Sequence, residues 1–474
     1  MKKFTKIAMT VLAGVLATVT VAGCGGGGDG VTTTGQMNYD ENGKPIFKNV
    51  DIDLATVVTG DDFAPFNNIV TEFNNEYSGK ININISNIAQ DTFEKSVGQA
   101  IQTNVNAPDL IMCHVKSHKN FAENKLIQPF EEGYEAAKLT FDKTNIVTGL
   151  AGSSDLGMGK QYSIPVDAQS MVIYYNKTML ADLGKEVPTT HEELLDVCAA
   201  FKTKYTNSDY CPISCDVVGS EYFFKYLFPT AYVANGGTLF DSATYKADWT
   251  GEANMQAFND AKTAIRTDLI DAGYFKWNEN AATVQTRFFE NKTLFLIDRP
   301  WAAQSLFSGY KLKNSSVTDA TTVLGGASIG GLFALDSTKD YANKIYGDSH
   351  GFMMSRTVSD INVKAAIAEF VNWYTTNNEV GAAWGQAGHA SVSKTVANSA
   401  EYKANAFVND YVKNFYTDLD KFVTMSNNLH YSEIILRLDE IATKVIATND
   451  SVSAIVSEQQ KKYNDYVDLQ SLSS

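Results

Sequence analysis

Residues 51–58 read DIDLATVV, residues 81–85 read ININI and residues 109–115 read DLIMCHV, and the order of these three runs decides the fold. The first and third are short continuous apolar runs, the pattern of strands covered on both faces; the second alternates strictly, which suits a strand with one face toward water. After the break at Gly60-Asp61-Asp62, Phe66, Ile69, Val70 and Phe73 recur at helical spacing, and a further helix is expected around Phe93 to Gln102. Strand–helix–strand–helix–strand is the order of an α/β unit, because parallel strands need long crossovers.

The same alternation continues toward the C-terminus. Ser170 to Tyr175 reads as a strand, and a helix follows a capping box formed by Thr190 and Glu193. A long helix is expected over about Glu252 to Ala272, a buried strand over Thr293 to Ile297 and an amphipathic helix over Asp360 to Thr375. Near the end, Ile434, Ile435, Leu438, Ile441 and Val445 form one helical stripe. This length implies two domains or lobes, and no sequence repeat signals a solenoid or propeller.

Toward the N-terminus, Lys2, Lys3 and Lys6 precede an apolar run from Ile7 to Val21 and the small residues Ala22 and Gly23, the layout of a cleavable export signal over residues 1–23. Thr10, Gly14, Thr18 and Thr20 interrupt the run, which makes it a poor permanent span. Val21-Ala22-Gly23-Cys24 resembles a lipobox, with Cys24 as the thiol that receives acyl chains of the palmitate kind. Gly25 to Gly35 cannot bury apolar surface and are expected to form a flexible tether, so that 24–50 is a lipid-anchored tether and N-terminal extension.

Charge and cysteine usage narrow the function. The formal charge is −15, and removal of residues 1–23, with three Lys and no acid, takes it to −18. A polyanion would meet net repulsion and no basic tract, so nucleic acid is excluded as a partner. Beyond Cys24 there remain Cys113, Cys198, Cys211 and Cys215. They are read as buried free thiols, with a Cys211–Cys215 loop as the alternative.

Several ordered motifs carry a resemblance beyond residue 51. They are Phe73-Asn74-Asn75-Glu76-Tyr77, Ala107-Pro108-Asp109-Leu110, Lys125-Leu126-Ile127-Gln128-Pro129, and Ile164-Pro165 followed by Tyr174-Tyr175-Asn176-Lys177. The run continues with Pro188-Thr189-Thr190-His191-Glu192-Glu193-Leu194, Asn235-Gly236-Gly237, Phe288-Phe289-Glu290-Asn291-Lys292 and Arg299-Pro300-Trp301. In this order they resemble the extracytoplasmic solute-binding proteins of ABC importers typified by maltose-binding protein. Arg299 departs from the glycine usual in that family, and residues 29–50 lie outside its common core.

The resemblance implies an α/β, two-lobed periplasmic-binding-protein-like fold, with discontinuous lobes joined by a strand hinge around an interlobe ligand cleft. The first lobe is expected over 51–165 plus about 345–378, the second over 166–344 plus 379–474. It further implies a monomer on the outer face of the cell membrane that closes on a small ligand and delivers it to permease subunits. No cofactor and no metal are called for.

Ligands of such folds sit outside the carboxyl ends of the strands. Asp61 and Asp62 follow the first strand, where they would accept hydrogen bonds from sugar hydroxyls or cap the next helix. Cys113, His114 and Lys116 end the third strand, and His114 is the preferred contact of the three. His114 and His118 are four apart, but no matching ligand motif supports zinc. The resemblance adds Asp167 and Gln169 at the first crossing segment, Glu221 and Tyr222 ahead of Asn235, Trp384 near the hinge and His430 before the late helix. Trp301 is the main candidate, because an indole offers a flat apolar face and an N–H donor to a sugar ring; the bland alternative is a core tryptophan.

Five Arg in the whole chain argue against a clustered-guanidinium anion site. An uncharged mono- or oligosaccharide is the leading expectation. A polyamine is the rival if Asp61, Asp62, Asp167 and Glu221 converge. A secreted carbohydrate-active enzyme would need two carboxylates across a scissile bond, and an adhesin would not explain the two-lobe pattern. No H-E-x-x-H or G-x-S-x-G occurs, and Gly157-Met158-Gly159-Lys160-Gln161 is not a phosphate loop.

Overall fold

The computed structural model describes residues 32–215, 223–276, 279–448 and 450–472. The export signal, Cys24, Glu221 and Tyr222 lie outside the described residues. Among those described, no helix is long and apolar enough to cross a membrane.

The three runs that decide the fold become β1 (Val50–Thr56), β2 (Ile81–Asn87) and β3 (Leu110–His114). β1 lies between the other two and pairs parallel with both, Ile52 opposite Ile83 and Leu54 opposite Leu110. The helix Phe63–Glu76 buries Phe66, Ile69, Val70 and Phe73, the stripe seen in the sequence. Ile81 and Ile83 of β2 are buried between exposed asparagines, so alternation does mark one wet face.

Two strands complete this region, β4 (Ile127–Gln128) and β5 (Ile164–Pro165), and β6 (Asp167–Ala168) begins the crossing. The second sheet is built from β7 (Val172–Asn176), β8 (Cys211–Cys215), β9 (Phe275–Lys276), β10 (Thr293–Asp298) and β11 (Leu324–Ala327). Its order is β11-β7-β10-β8-β9, with β8 parallel to both β10 and β9 and β7 antiparallel to its neighbours. The chain then returns through β12 (Ile345–Tyr346) to β13 (His350–Ser355). β13 enters the first sheet antiparallel to β3, giving the order β2-β1-β3-β13-β4 with β5 also on β13.

The hinge consists of short pairings. β14 (Ala390–Ser391) runs antiparallel to β6, β15 (Phe422–Val423) runs parallel to β12, and Gln169 bridges to Asp348. Helix Ile361–Thr376, N-capped by Asp360, covers the first sheet, and helices Tyr431–Ala447 and Val452–Ser471 cover the second. Thr190 caps its helix as expected, and the Glu193 carboxylate accepts from the Thr189 amide 2.7 Å away.

Three features bear on the sequence reading. First, the described part of the N-terminal extension, residues 32–50, packs onto the first lobe. Thr34 bridges to Asp360, Met37 is buried in the first-lobe core, the Tyr39 hydroxyl donates to the Ala136 carbonyl at 3.0 Å, and residues 39–45 form a tight turn. Thr33 and Glu132 both hold the buried ammonium of Lys364, at 2.9 and 2.7 Å. Short side-chain bonds and one buried methionine anchor a stretch that composition alone marks as loose.

Second, residues 146–150 of the expected first-lobe span 51–165 pack toward the second sheet. Ile146, Val147 and Leu150 join the cluster containing Val172, Tyr174 and Leu296 of the second sheet, and the Val147 amide donates to Val392. Third, the described cysteines are buried free thiols, the reading the sequence favoured, and the alternative Cys211–Cys215 loop does not form. Both thiols are free and buried, as are Cys113 and Cys198. They stand four residues apart in one strand, about 13 Å at the usual rise, too far for a disulfide.

Candidate functional site

The carboxyl ends of β1 and β3 point at the junction of the lobes, and a cleft of about 490 Å³ opens there. Val57, Gln90, Asp91, Phe93, Glu94 and Cys113 to Ser117 (Val115 aside) line the first-lobe wall; Gln169, Lys225, Tyr226, Trp301, Tyr431, Ser432 and Ile435 line the other. A second space of about 390 Å³ lies along Asp61, Asp62, Gln304 and Gln386, and Trp301 belongs to both. Trp301 follows β10 directly, so the strand end that the topology aims at the cleft delivers the indole there.

His114 closes β3 opposite His350, the first residue of β13, and their rings stack 4.7 Å apart. The amide nitrogen of Gln169 donates to His114 Nδ1 at 3.1 Å, which leaves the ring proton on Nε2. Burial, then the neighbouring Lys116 and His350, hold His114 well below the usual imidazole range, so it enters the cleft neutral. Lys116 keeps its charge: burial opposes it, but Asp348 at 2.8 Å raises its pKa well above the usual value.

Behind this wall lies a buried polar cluster. Asp167, fully buried, accepts from His350 Nδ1 at 2.8 Å and from Trp384 Nε1 at 2.8 Å, and lies 3.3 Å from His389 Nδ1. The other ring nitrogen of His389 is 3.4 Å from Asp62, so the imidazole is an ionic strut between two carboxylates. Burial works against charge on His389, yet Asp167 and Asp62 push its pKa up to about 9. The two histidines conversely hold the Asp167 carboxyl far below the usual range despite its burial. The His389 ring is sandwiched, 4.1 Å from Trp384 and 5.9 Å from Trp301, with interplanar angles of 4° and 2°.

Asp167, His350 and His389 offer ligand atoms within 4.8 Å of one another. Their donor set is engaged in hydrogen bonds and ion pairs, and a cation there would compete with the proton on His389. The His114–His118 spacing is structural: the His118 ring faces Ser163 Oγ at 2.6 Å and the Cys113 carbonyl at 3.2 Å, and burial holds its pKa down to about 4.

The structure thus divides the expected site residues. His114, Gln169 and Trp301 line the main cleft, and Asp61 and Asp62 line the adjoining space. Neither Asp62 nor Thr59 makes a side-chain cap bond, so the capping alternative does not hold for Asp62. Asp167, 0% exposed, and Trp384, 2% exposed, lie in the buried cluster behind the cleft wall and outside its lining. His430 also lies outside the lining: its ring packs edge-on to Tyr245 and Tyr466, and the next residue, Tyr431, reaches the cleft. Of the four acids a polyamine would need together, Asp61 and Asp62 line the adjoining space, Asp167 is consumed in the hub and Glu221 lies outside the described residues.

Two α/β sheets, crossing strands and a cleft lined from both sides define a hinged, two-lobed ligand-binding protein. Solved structures share this fold. The sugar-binding protein MalE of Xanthomonas citri superposes with a TM-score of 0.70 at 15% identity, covering 89% of this chain and 98% of its own. The cyclic alpha-maltosyl-1,6-maltose binding protein of Arthrobacter globiformis gives 0.69 at 17% identity, covering 88% and 99%. The profile of the family described as bacterial extracellular solute-binding protein matches residues 68–409, more than half of the chain, and the chain belongs to that family. Among curated relatives, the maltooligosaccharide ABC transporter solute-binding lipoprotein of Streptococcus pneumoniae serotype 4 is 25% identical over 220 residues. That match spans 45% of this chain and 45% of the relative, so the chain covers less than half the length of the relative it matches.

Proposed function

We propose that this chain is the substrate-binding lipoprotein of an ABC importer, anchored through Cys24 outside the cytoplasm, which captures an uncharged mono- or oligosaccharide by hinge closure and hands it to membrane permease subunits. The observation that carries this reading is the cleft itself, where Trp301, Tyr226 and Tyr431 from one lobe face His114, Gln90 and Ser117 from the other. Rings take the C–H face of a sugar, and short polar groups take its hydroxyls. Engagement of Asp167 in the buried hub takes one carboxylate away from the cleft, which supports a neutral ligand over a polyamine. The maltooligosaccharide relative supports the sugar class.

Binding without turnover is the second part of the proposal. Asp91 and Glu94 lie one turn apart on helix Gln90–Thr103, hence on one wall, and glycoside hydrolysis needs carboxylates on opposite sides of the scissile bond. The lobes are taken as 51–165 plus about 345–378 and 166–344 plus 379–474, with 146–150 packed on the second. The test is thermal unfolding of residues 29–474 against sugars, polyamines and amino acids. A ligand at 100 times its Kd stabilises the fold by ~2.7 kcal/mol. Stabilisation by a maltooligosaccharide without release of glucose supports the proposal; stabilisation by polyamines alone, or hydrolysis, removes it.

A further inference from the structure

One cluster in the cleft joins the lobes without any ligand. Tyr431 opens helix Tyr431–Ala447, whose Ile434, Leu438, Ile441 and Val445 are buried in the second-lobe core, so its ring moves with that lobe. Its hydroxyl meets Glu94 Oε1 and Ser117 Oγ, the latter at 3.3 Å. Both partners belong to the first lobe: Glu94 to helix Gln90–Thr103, held by the buried Phe93 and Val97, and Ser117 to the turn that ends β3. Ser117 Oγ also donates to the same Glu94 oxygen at 2.7 Å. A single carboxylate oxygen therefore receives two hydroxyls, one from each lobe.

We propose that Tyr431, Glu94 and Ser117 form a closure latch, a hydrogen-bonded triad across the cleft that exists only while the lobes are together and that sets how fast a captured ligand is released. The inference rests on reading the cleft as a ligand trap and adds to it residues that govern closure. Any separation of the lobes must part Tyr431 from Glu94, because each is fixed to its own core. Hydroxyl-to-carboxylate bonds are charge-assisted, and Glu94 is half-buried, so water replaces the lost partner only when the cleft opens. Burial, then Glu94, raise the Tyr431 phenol well above its usual pKa, so it stays a donor at physiological pH. The bond is also local in effect, since Tyr431→Phe keeps the ring and removes only the hydroxyl.

The test uses spin labels at Val105→Cys and Leu312→Cys, 61% and 87% exposed on the first and second lobes, in the full mature chain; the four native thiols beyond Cys24 are buried. Without sugar, Tyr431→Phe and Glu94→Gln are expected to shift the interlobe distance distribution toward longer values, and the double variant to shift it no further than either alone. With maltotriose as the probe, release from Tyr431→Phe is expected to be about ten- to a hundredfold faster, the span controlled by a hydrogen bond to a charged group. Ser117→Ala gives a second variant with a smaller shift in the same direction. Unchanged distances in Tyr431→Phe and Glu94→Gln overturn the latch whatever the sugar does. Shifted distances with no maltotriose binding support the latch and count against the sugar reading alone.

Discussion

Trp301 and His389 stack in parallel, 2° apart in plane and 5.9 Å between ring centres, although one residue lines the ligand cleft and the other is buried at the hinge. A ring in the cleft wall is thereby backed by a cation that bridges Asp62 and Asp167. Contact with ligand and the state of the hinge are mechanically adjacent.

Truncating that side chain removes the one indole among the described residues that line the cleft. Trp301→Ala is expected to weaken maltooligosaccharide binding by at least about 2 kcal/mol, roughly thirtyfold in Kd, as a hot-spot aromatic does. Isothermal titration against maltotriose measures this directly, and an unchanged Kd would remove Trp301 from the site.

His389 makes hinge stability depend on pH with a definite sign. Its pKa rises from the usual 6.5 to about 9 on folding, so its contribution is complete below 6.5, declines as pH rises and is gone above 9. Asp167 has a lowered pKa, so its contribution is present above the usual 3.8 and is lost as pH falls into strong acid. Melting curves of wild type and His389→Gln should differ most near pH 5.5 and converge by pH 10. Parallel curves across that range would mean that His389 is not charged in the fold.

Gly388 carries the loop that brings His389 to Trp301, at φ +100°, and a Cβ there would lie 2.5 Å from the Pro300 carbonyl oxygen. Gly388→Ala therefore meets both a disfavoured backbone and a backbone clash. A loss of roughly 1–3 kcal/mol in stability is expected from strain of this kind, together with weaker sugar binding as the Trp301–His389 stack is displaced. Urea titration and calorimetry on the same variant check the two effects, and native values in both would contradict the geometry.

Beneath the N-terminal segment, Lys364 has a 2% exposed side chain and is held by Glu132 and Thr33. Glu132→Gln leaves the ammonium with neutral partners. Because Glu132 itself is 58% exposed, the cost should be at the modest end, about 1 kcal/mol. Removing residues 32–46 should cost more, since Met37 and Tyr39 leave with Thr33. Equal melting temperatures for the truncated and intact chains would show that the segment does not stabilise the lobe.

The fold was legible wherever period and burial agree. β1, β2, β3 and the stripe on helix Phe63–Glu76 follow directly from apolar spacing, and Trp301, singled out by the Arg299-Pro300-Trp301 motif and its indole, stands in the cleft lining. β13 was not, since His350 and Gly351 give a strand no apolar signature and its partner β3 lies more than two hundred residues earlier. The same distance hid the hub: Asp167, His350 and His389 are brought together by the returning chain, and local sequence carries no trace of that meeting. His430 and Tyr431 were both legible at the start of the late helix, but not which of the two faces the cleft, because a helix start is uncertain by a residue or two and a shift of one turns a different side chain inward. The docking of residues 32–50 was not legible for another reason. Composition reports how much apolar surface a segment can bury, but a few specific bonds to a distant helix suffice to hold it.

That docked segment also decides which jaw of the trap is stationary. The chain is stitched to the first lobe at Thr33, Thr34, Met37 and Tyr39 before β1 begins, so a pull arriving from the N-terminal side is borne by the first lobe. The second lobe, joined to the first through the crossing segments, lies on the far side of that load and is the jaw left to swing.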